Sequence, residues 1–213
     1  ALYLYQKRIV EEANLIITNS EYELNSIKEN FKNKNISLIP NGITFNEEIR
    51  KNKNFLKEKK TRTCLFLGRI APPKGIEELI KAWQKIKPNN WELIIAGGIY
   101  DKKYYEKLRN LSREETKKGS IKFTGEVDEV QKELLYRDAN LFILPSKTES
   151  YGIVIAEAMS FRLPIITTKN APWEVIDRKA LGWWINDLDD SLDKALKNAT
   201  IMSEEDLEKI GEK

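Results

Sequence analysis

Two short segments of the sequence place glycine beside charged side chains in a way that suits phosphate chemistry. In the first, Gly68-Arg69 is followed a few residues later by Lys74-Gly75. Glycine lets the main chain approach a ligand closely, and an arginine and a lysine in one loop suit the two phosphates of a diphosphate. The segment is neither a Walker loop nor a G-x-G-x-x-G fingerprint. Taken alone, it also fits a solvated basic turn.

The second segment, 145–159, carries two carboxylates around the start of a predicted helix. Glu149 lies in the loop and Glu157 about one and a half turns into the helix, so both can reach the space above the helix start. The N–H groups of residues 151–154, with Gly152 among them, would face a phosphate there. Fixed acceptors beside a phosphate suit recognition of sugar hydroxyls. The alternative is that Glu149 complements the helix dipole and Glu157 is a surface residue, although a carboxylate among apolar neighbours needs a partner or a ligand.

The elements that must position these segments form a regular alternation from Thr63 onward. Short apolar runs predict strands at 64–67, 92–96, 121–124, 141–144 and 164–167, and amphipathic runs predict helices at 76–86, 102–113, 129–136 and 152–161. Continuously apolar strands that alternate with helices indicate a parallel sheet covered on both faces. The sequence therefore predicts an α/β domain with a Rossmann-like, doubly wound parallel sheet that binds ligands in the loops after its strands.

The sequence before Thr63 and after Trp184 follows other patterns. Helices are predicted over 1–13 and 20–30, the second capped by Ser20 with Glu23 as its capping-box partner, and strands over 15–18 and 36–39. These elements are too few to bury a core alone. We therefore expect a remnant of an N-terminal domain at 1–45, a polar linker at 46–62 and the α/β domain at 63–213. Two terminal helices are predicted over 187–198 and 203–212.

Composition excludes several functional classes. The chain has 213 residues and a formal net charge of +3, which is too balanced to argue for a nucleic-acid partner. It has no histidine and one cysteine, Cys64, which removes histidine-based triads and zinc sites and suits a reducing, cytoplasmic compartment. No apolar run approaches the roughly 20 residues that a membrane span needs.

Two further motifs invite a structural interpretation. Asp187-Leu188-Asp189 matches a bare D-x-D metal motif, but acidic residues ahead of a terminal helix are ordinary caps, so we expect no metal site there. The tryptophans at 173, 183 and 184 are expected to be mostly buried.

In their full context the charged segments resemble a known family. The pattern P-S-x-x-E-S-Y-G-I-V-x-x-E-A-M at 145–159, followed by 164–168, is similar to the signature of the retaining GT-B glycosyltransferases of family 4, also called group 1. Gly68-Arg69 with Lys74-Gly75 resembles that family's diphosphate loop, 123–127 its base-binding loop, and 39–43 the segment that closes its N-terminal domain. The resemblance covers nearly the whole chain and implies the C-terminal half of a GT-B fold.

The resemblance also implies a role for each matching residue. Cationic side chains would neutralise the leaving nucleoside diphosphate, one glutamate would hold the donor sugar, and the other would bind the ribose hydroxyls. The expected catalytic residues are Arg69, Lys74 and Glu149. The expected substrate-binding residues are Gly68, Val127, Ser150, Tyr151, Gly152, Ile153, Val154 and Glu157, with the base contacted around Val127.

The reaction and the partners follow from the same resemblance. A sugar would pass with retention of configuration from a UDP- or GDP-sugar to a glycan or lipid-linked acceptor held by the N-terminal domain, with no obligatory metal. The full-length protein would be cytoplasmic and could contact the membrane peripherally. Two alternatives stay open: a binding module without turnover, and an epimerase or phosphorylase on the same scaffold. We find no pyridoxal-phosphate lysine motif of the kind a phosphorylase should carry.

Overall fold

The computed structural model describes residues 2–32, 35–44, 47–48, 61–186 and 188–213. The strands are β1 Ile16–Thr18, β2 Ile36–Leu38, β3 Arg62–Leu67, β4 Trp91–Ala96, β5 Ile121–Gly125, β6 Leu141–Leu144, β7 Ile165–Thr168 and β8 Gly182–Ile185. The helices are α1 Leu2–Glu12, α2 Glu21–Asn30, α3 Ile76–Ile86, α4 Lys102–Leu111, α5 Arg113–Lys117, α6 Glu129–Asp138, α7 Ile153–Ser160, α8 Val175–Arg178, α9 Asp190–Ile201 and α10 Glu204–Gly211, and a 3-10 turn at Pro72–Lys74 precedes α3.

The main sheet confirms the predicted doubly wound α/β fold. It has six parallel strands in the order β5-β4-β3-β6-β7-β8. The chain winds outward from β3 to β5, then returns to the middle and winds the other way from β6 to β8. The reversal leaves a crevice between the carboxyl ends of β3 and β6, which is where such sheets bind ligands. We call it the switch-point crevice.

The core explains why the strands are continuously apolar. All four residues of β6 and of β7 are buried, because helices cover both faces of the sheet. On one face, α3 contributes its apolar stripe, in which Ile76, Leu79 and Trp83 are almost completely buried. Within the described ranges, no helix is both long enough and apolar enough to cross a membrane.

The N-terminal elements form a separate small unit. β1 and β2 pair in parallel as a two-stranded sheet, and α2 connects them. Ser20 caps α2 as predicted, since its hydroxyl accepts a hydrogen bond from the Glu23 N–H at 3.3 Å. The Glu23 carboxylate accepts from the N–H of Asn19 rather than that of Ser20, so the reciprocal half of the capping box is displaced by one residue. Most of the predicted linker 46–62 lies outside the described residues.

Two elements differ from the sequence-based prediction. The predicted helix 102–113 is divided, because the Ser112 hydroxyl donates to the Leu108 carbonyl at 2.8 Å and α4 ends at Leu111 before α5 begins. The strand β8 was missed, because glycine disfavours strands and its two tryptophans were interpreted only as buried rings. It is the edge strand beside β7, and Trp183 and Trp184 are half-buried there rather than buried.

The acidic motif before the terminal helix is described only in part. Asp187 lies outside the described residues. Asp189 takes the N-cap position of α9, which begins at Asp190 rather than at 187. The second terminal helix is confirmed, because Ser203 caps α10 and accepts a hydrogen bond from the Asp206 N–H at 3.1 Å.

The carboxylate of Glu77, on α3, gives the fold a pH dependence. Hydrogen bonds from Lys107 at 2.6 Å and Lys81 at 2.9 Å lower the pKa of Glu77 from 4.5 to about 2. The contribution of the ionised Glu77 side chain to the free energy of unfolding is therefore complete above pH 4.5 and is lost as the pH falls toward 2. In urea unfolding we expect Glu77→Gln to be less stable than the parent protein at pH 6, with the difference closing below pH 4.5. Glu114→Gln, which removes a more exposed pair with Lys117, is the control, and a pH-independent difference for Glu77→Gln would contradict the prediction.

Candidate functional site

The loops after β3 and β6 meet at the switch-point crevice through their main chains. The N–H of Lys147 donates to the carbonyl of Pro73 at 2.8 Å. Gly75 has a φ of +68°, and a Cβ at that position would lie 1.9 Å from the carbonyl oxygen of Pro145. Only glycine permits both this conformation and this approach. The two segments that the sequence singled out are thus one continuous surface.

Lys74 and Glu149 form an ion pair at the centre of this surface. The Lys74 Nζ lies 2.5 Å from Glu149 Oε2, and the two side chains are 14% and 13% exposed. The Ser146 hydroxyl donates to the same carboxylate oxygen at 3.3 Å. A phosphate entering here would meet a cation whose charge is already balanced by a carboxylate, so it would compete with Glu149 for the Lys74 ammonium.

Arg69 lies at the rim of the crevice with its charge directed to solvent. Its guanidinium carbon is 5.4 Å from the centre of the Tyr100 ring, which is within the range of a cation–π contact. Tyr100 follows β4, so this contact joins two neighbouring loops. No carboxylate of the described residues pairs with Arg69, and its N–H donors are available to an anionic ligand.

The loop after β6 ends at Gly152, which starts α7. Gly152 has a φ of +76° at the N-cap and offers no side chain to cap the helix. The first N–H groups of a helix, here beginning at Ile153 and Val154, have no partner within the helix and attract anions. A Cβ on Gly152 would lie 3.1 Å from the Cγ of Glu149, so the helix start is packed against that side chain.

Glu157 finds two partners on α6 that the sequence did not identify. Lys132 Nζ donates to Oε1 at 2.9 Å and the Tyr136 hydroxyl donates to Oε2 at 2.8 Å. Burial, together with the nearby Glu157 charge, raises the pKa of Tyr136 well above its usual range, so its hydroxyl stays protonated. Burial lowers the pKa of Lys132, but its hydrogen bonds to Glu129 and Glu157 outweigh this and raise it. The requirement for a partner was visible in the apolar setting of Glu157, while the partners themselves depend on tertiary packing.

A cleft of about 970 Å³ lies beside the crevice, between α2 with the end of β2 and the loops after β3, β6 and β7. Of the expected site residues, those that line this cleft are Arg69, Lys74, Glu149, Ser150 and Tyr151. Those that do not line it are Gly68, Val127, Gly152, Ile153, Val154 and Glu157. The structure therefore brings Arg69, Lys74 and Glu149 together in the cleft. The phosphate-type main-chain groups at 68 and 152–154 lie outside its lining, as do Val127 and Glu157.

The loop after β7 and the edge strand β8 supply an aromatic wall that sequence reasoning assigned to the core. Trp173 and Trp184 are half-buried and line the cleft. The Trp173 indole N–H donates to the Tyr151 carbonyl at 2.5 Å, and the two rings are 5.2 Å apart. The Trp184 N–H donates to Ala171, and Lys169 lies 5.2 Å from its ring. Both indole N–H groups are used internally, and each ring also has a neighbour, Tyr151 for Trp173 and Lys169 for Trp184.

The side chains available to a metal ion are sparse. Across the part of the chain that the structure describes, no group of three or more histidine, cysteine, aspartate or glutamate side chains is placed to hold one. Asp187 is not among the described residues, so the expected independence from a metal stays a prediction.

The fold is a Rossmann-type α/β fold in which the loops after β3 and β6 meet at the topological switch point. The family profile of the glycosyl transferases group 1 matches residues 46–213, and the chain belongs to that family. It is 31% identical over 178 residues to an uncharacterized glycosyltransferase of Haemophilus influenzae, a match that covers 82% of this chain and 48% of that protein. The chain thus spans about half the length of this curated relative.

Solved structures share the fold, which matches GT-B glycosyltransferases as the sequence resemblance implied. Sucrose-phosphate synthase from Thermosynechococcus elongatus superposes with a TM-score of 0.81 at 22% identity, covering 98% of this chain and 54% of that one. HepE from Anabaena, in complex with UDP-glucose, superposes with a TM-score of 0.79 at 20% identity, covering 98% of this chain and 60% of that one.

Proposed function

We propose that this chain is the donor-binding half of a retaining glycosyltransferase of family 4. The observation that carries the proposal is that Arg69, Lys74 and Glu149 line one cleft, and that Gly152, at the start of α7, packs against the Glu149 side chain. The division into an N-terminal remnant (1–45), a linker (46–62) and a donor-binding domain (63–213) belongs to the same proposal. It is supported by the relative's length, of which this chain covers 48%.

The proposed chemistry is electrostatic stabilisation of the leaving group. As the bond between the sugar and the diphosphate breaks, negative charge develops on the diphosphate, and Arg69, Lys74 and the positive end of α7 stabilise it. Lys74 exchanges Glu149 for the phosphate, which frees that carboxylate to accept hydrogen bonds from the donor sugar. The acceptor hydroxyl attacks from the face the diphosphate leaves, and its proton passes to the diphosphate, so configuration is retained. Glu149 acts as a sugar ligand and not as a nucleophile.

The donor is proposed to be a UDP- or GDP-sugar. The HepE structure was determined with UDP-glucose, which supports a uridine nucleotide. In this assignment Glu157 receives the ribose hydroxyls, and the main chain around Val127 contacts the base. The phosphates and the sugar contact main-chain and side-chain atoms of Gly68, Ser150, Tyr151, Gly152, Ile153 and Val154, with no metal required.

The acceptor is proposed to be a glycan or a lipid-linked saccharide that enters the cleft. The half-buried rings of Trp173 and Trp184 line this cleft and suit the apolar faces of a sugar ring, and Tyr22 on α2 is 70% exposed on the opposite side. The remainder of the acceptor site would come from the N-terminal domain of a cytoplasmic, membrane-peripheral protein.

Calorimetry with UDP-, GDP- and ADP-sugars tests the proposal directly. We expect one nucleotide class to bind, with Arg69→Ala and Glu157→Ala each raising the dissociation constant about tenfold or more, because each removes charge-assisted hydrogen bonds. Arg113→Ala on α5, which removes an exposed arginine remote from the crevice, is the matched control and should bind normally. If no nucleotide binds, or if both site variants bind like the parent protein, the site assignment is wrong.

A further inference from the structure

A polar cluster outside the cleft joins α6 to α7 through Glu157. The Glu157 side chain is 14% exposed, and each of its two carboxylate oxygens accepts one hydrogen bond from α6, from Lys132 at 2.9 Å and from Tyr136 at 2.8 Å. A carboxylate oxygen has more than one acceptor position, so both oxygens can still accept a second hydrogen bond. The carboxylate is therefore held in one orientation without being saturated.

Tyr136 is fixed on all sides by the core. Its residue exposure is 1%, and its ring stacks on Phe161 at 5.5 Å and packs against Phe142 at 5.8 Å. The hydroxyl is the only polar atom of this side chain, and the Val154 carbonyl lies 3.2 Å from it beside the carboxylate. A rigid ring that delivers one hydroxyl to one carboxylate oxygen sets the position of that oxygen closely.

Lys132 connects the same carboxylate to the start of α6. Its ammonium contacts Glu157 and also Glu129, at 2.7 Å, in the first turn of the helix. That turn is held by a complete capping box between Asp128 and Gln131. It follows directly on Val127, around which the base is proposed to bind. Helix α6 therefore anchors the loop around Val127 that precedes it and also holds the Glu157 carboxylate of α7 in place.

We propose that Tyr136 and Lys132 are positioning residues that hold Glu157 to receive the ribose hydroxyls of the nucleotide. The inference rests on the proposed role of Glu157 and assigns to α6 the task of assembling the nucleoside half of the site in advance. In the diphosphate half a phosphate would compete with Glu149 for Lys74, whereas the nucleoside half is preorganised and loses little freedom when the ligand enters.

The test compares ribonucleotides with nucleotides that lack the hydroxyls. Calorimetry on the full chain would use UDP and GDP and their 2′,3′-dideoxy analogues. For the nucleotide that the parent protein binds, Tyr136→Phe and Lys132→Met are each expected to raise the dissociation constant about five- to tenfold, because an indirect effect is smaller than loss of the carboxylate. For the dideoxy analogue, the dissociation constant of each variant should stay within about twofold of the parent value, because this ligand has no ribose hydroxyl to donate to Glu157. Lys132→Arg, which keeps a donor and a charge, should restore most of the ribonucleotide affinity.

The controls separate positioning from general damage. Glu129 is 85% exposed, and Glu129→Gln removes only the outer partner of Lys132, so it should bind both ligands normally. Thermal unfolding measures how far each variant is destabilised. Lys132 is 18% exposed, so Lys132→Met tests the inference without disturbing the buried Tyr136 ring. If Tyr136→Phe and Lys132→Met weaken both ligands equally, or weaken neither, the inference is overturned while Glu157 keeps its proposed role. If the parent protein binds the two ligands equally, the role of Glu157 itself is wrong.

Discussion

Replacing Lys74 by methionine is expected to lower the turnover number of the full-length enzyme by about 10²- to 10³-fold, the range found when one preorganised donor to a developing anion is removed. Lys74 is the cation most enclosed at the switch-point crevice, at 14% exposure, and it lies 2.5 Å from Glu149. Without it the departing diphosphate loses a charge partner, and the unpaired carboxylate of Glu149 repels the phosphates. The measurement is release of the nucleoside diphosphate from the donor sugar under saturating donor.

A second variant separates these two effects. Lys74→Met combined with Glu149→Gln removes the repulsion and should recover donor affinity in calorimetry, but not turnover. Lys81→Met is the matched control, because Lys81 is also paired with a glutamate, Glu77, at 2.9 Å, but is 59% exposed and remote from the crevice. A turnover number for Lys74→Met within threefold of the parent value would remove Lys74 from the proposed mechanism.

Gly75→Ala is expected to destabilise the fold by roughly 3 kcal/mol or more, the range of a severe steric conflict in a packed region. The added methyl would lie 1.9 Å from the Pro145 carbonyl oxygen, so one of the two loops must move. Because these loops carry Lys74 and Glu149, nucleotide affinity should fall together with stability. Urea unfolding and calorimetry on the same preparation measure both.

Gly119→Ala provides an unusually close control for this variant. Gly119 has a φ of +76°, close to the +68° of Gly75, but a Cβ there would meet nothing within 4 Å. Its alanine variant carries the same backbone strain, roughly 1–2 kcal/mol, without the steric conflict. Equal destabilisation by the two substitutions would show that backbone conformation alone, and not contact with Pro145, accounts for the requirement for glycine at position 75.

Much of the fold follows from periodicity in the sequence. The predicted strands of the main sheet agree with β3 to β7 to within two residues at each end, because strands buried on both faces leave an unbroken apolar run. The edge strand β8 was missed although Gly182–Ile185 is also an unbroken apolar run, because its first residue, glycine, disfavours a strand. The division between α4 and α5 lies at Ser112, whose backbone angles (φ −96°, ψ 16°) leave the helical range, and propensity alone does not resolve it.

The sequence predicted less of the candidate site than of the fold. Every loop after a parallel strand lies at the same edge of the sheet, and this much was predictable. The contact between the loop after β3 and the loop after β6 could not be predicted without the strand order. In that order β3 and β6 are neighbours, although two strands separate them in the chain. The partners of Glu157 and the aromatic wall also depend on that order. Lys132 and Trp173 carry no local pattern that distinguishes them from other lysines and tryptophans.

The main-chain junction between the two loops has a consequence for protein engineering. The bond from Lys147 to Pro73 and the close approach of Gly75 to Pro145 hold the loops together through main-chain atoms, and the Lys147 side chain adds an ion pair with Glu78 on α3 at 2.6 Å. The side chains of Thr148 and Ser150 are exposed at the cleft, and the Ser150 carbonyl accepts a hydrogen bond from Ser20. These two positions form a compact library in which the proposed donor and acceptor preference can be diversified while the scaffold of the crevice is kept constant.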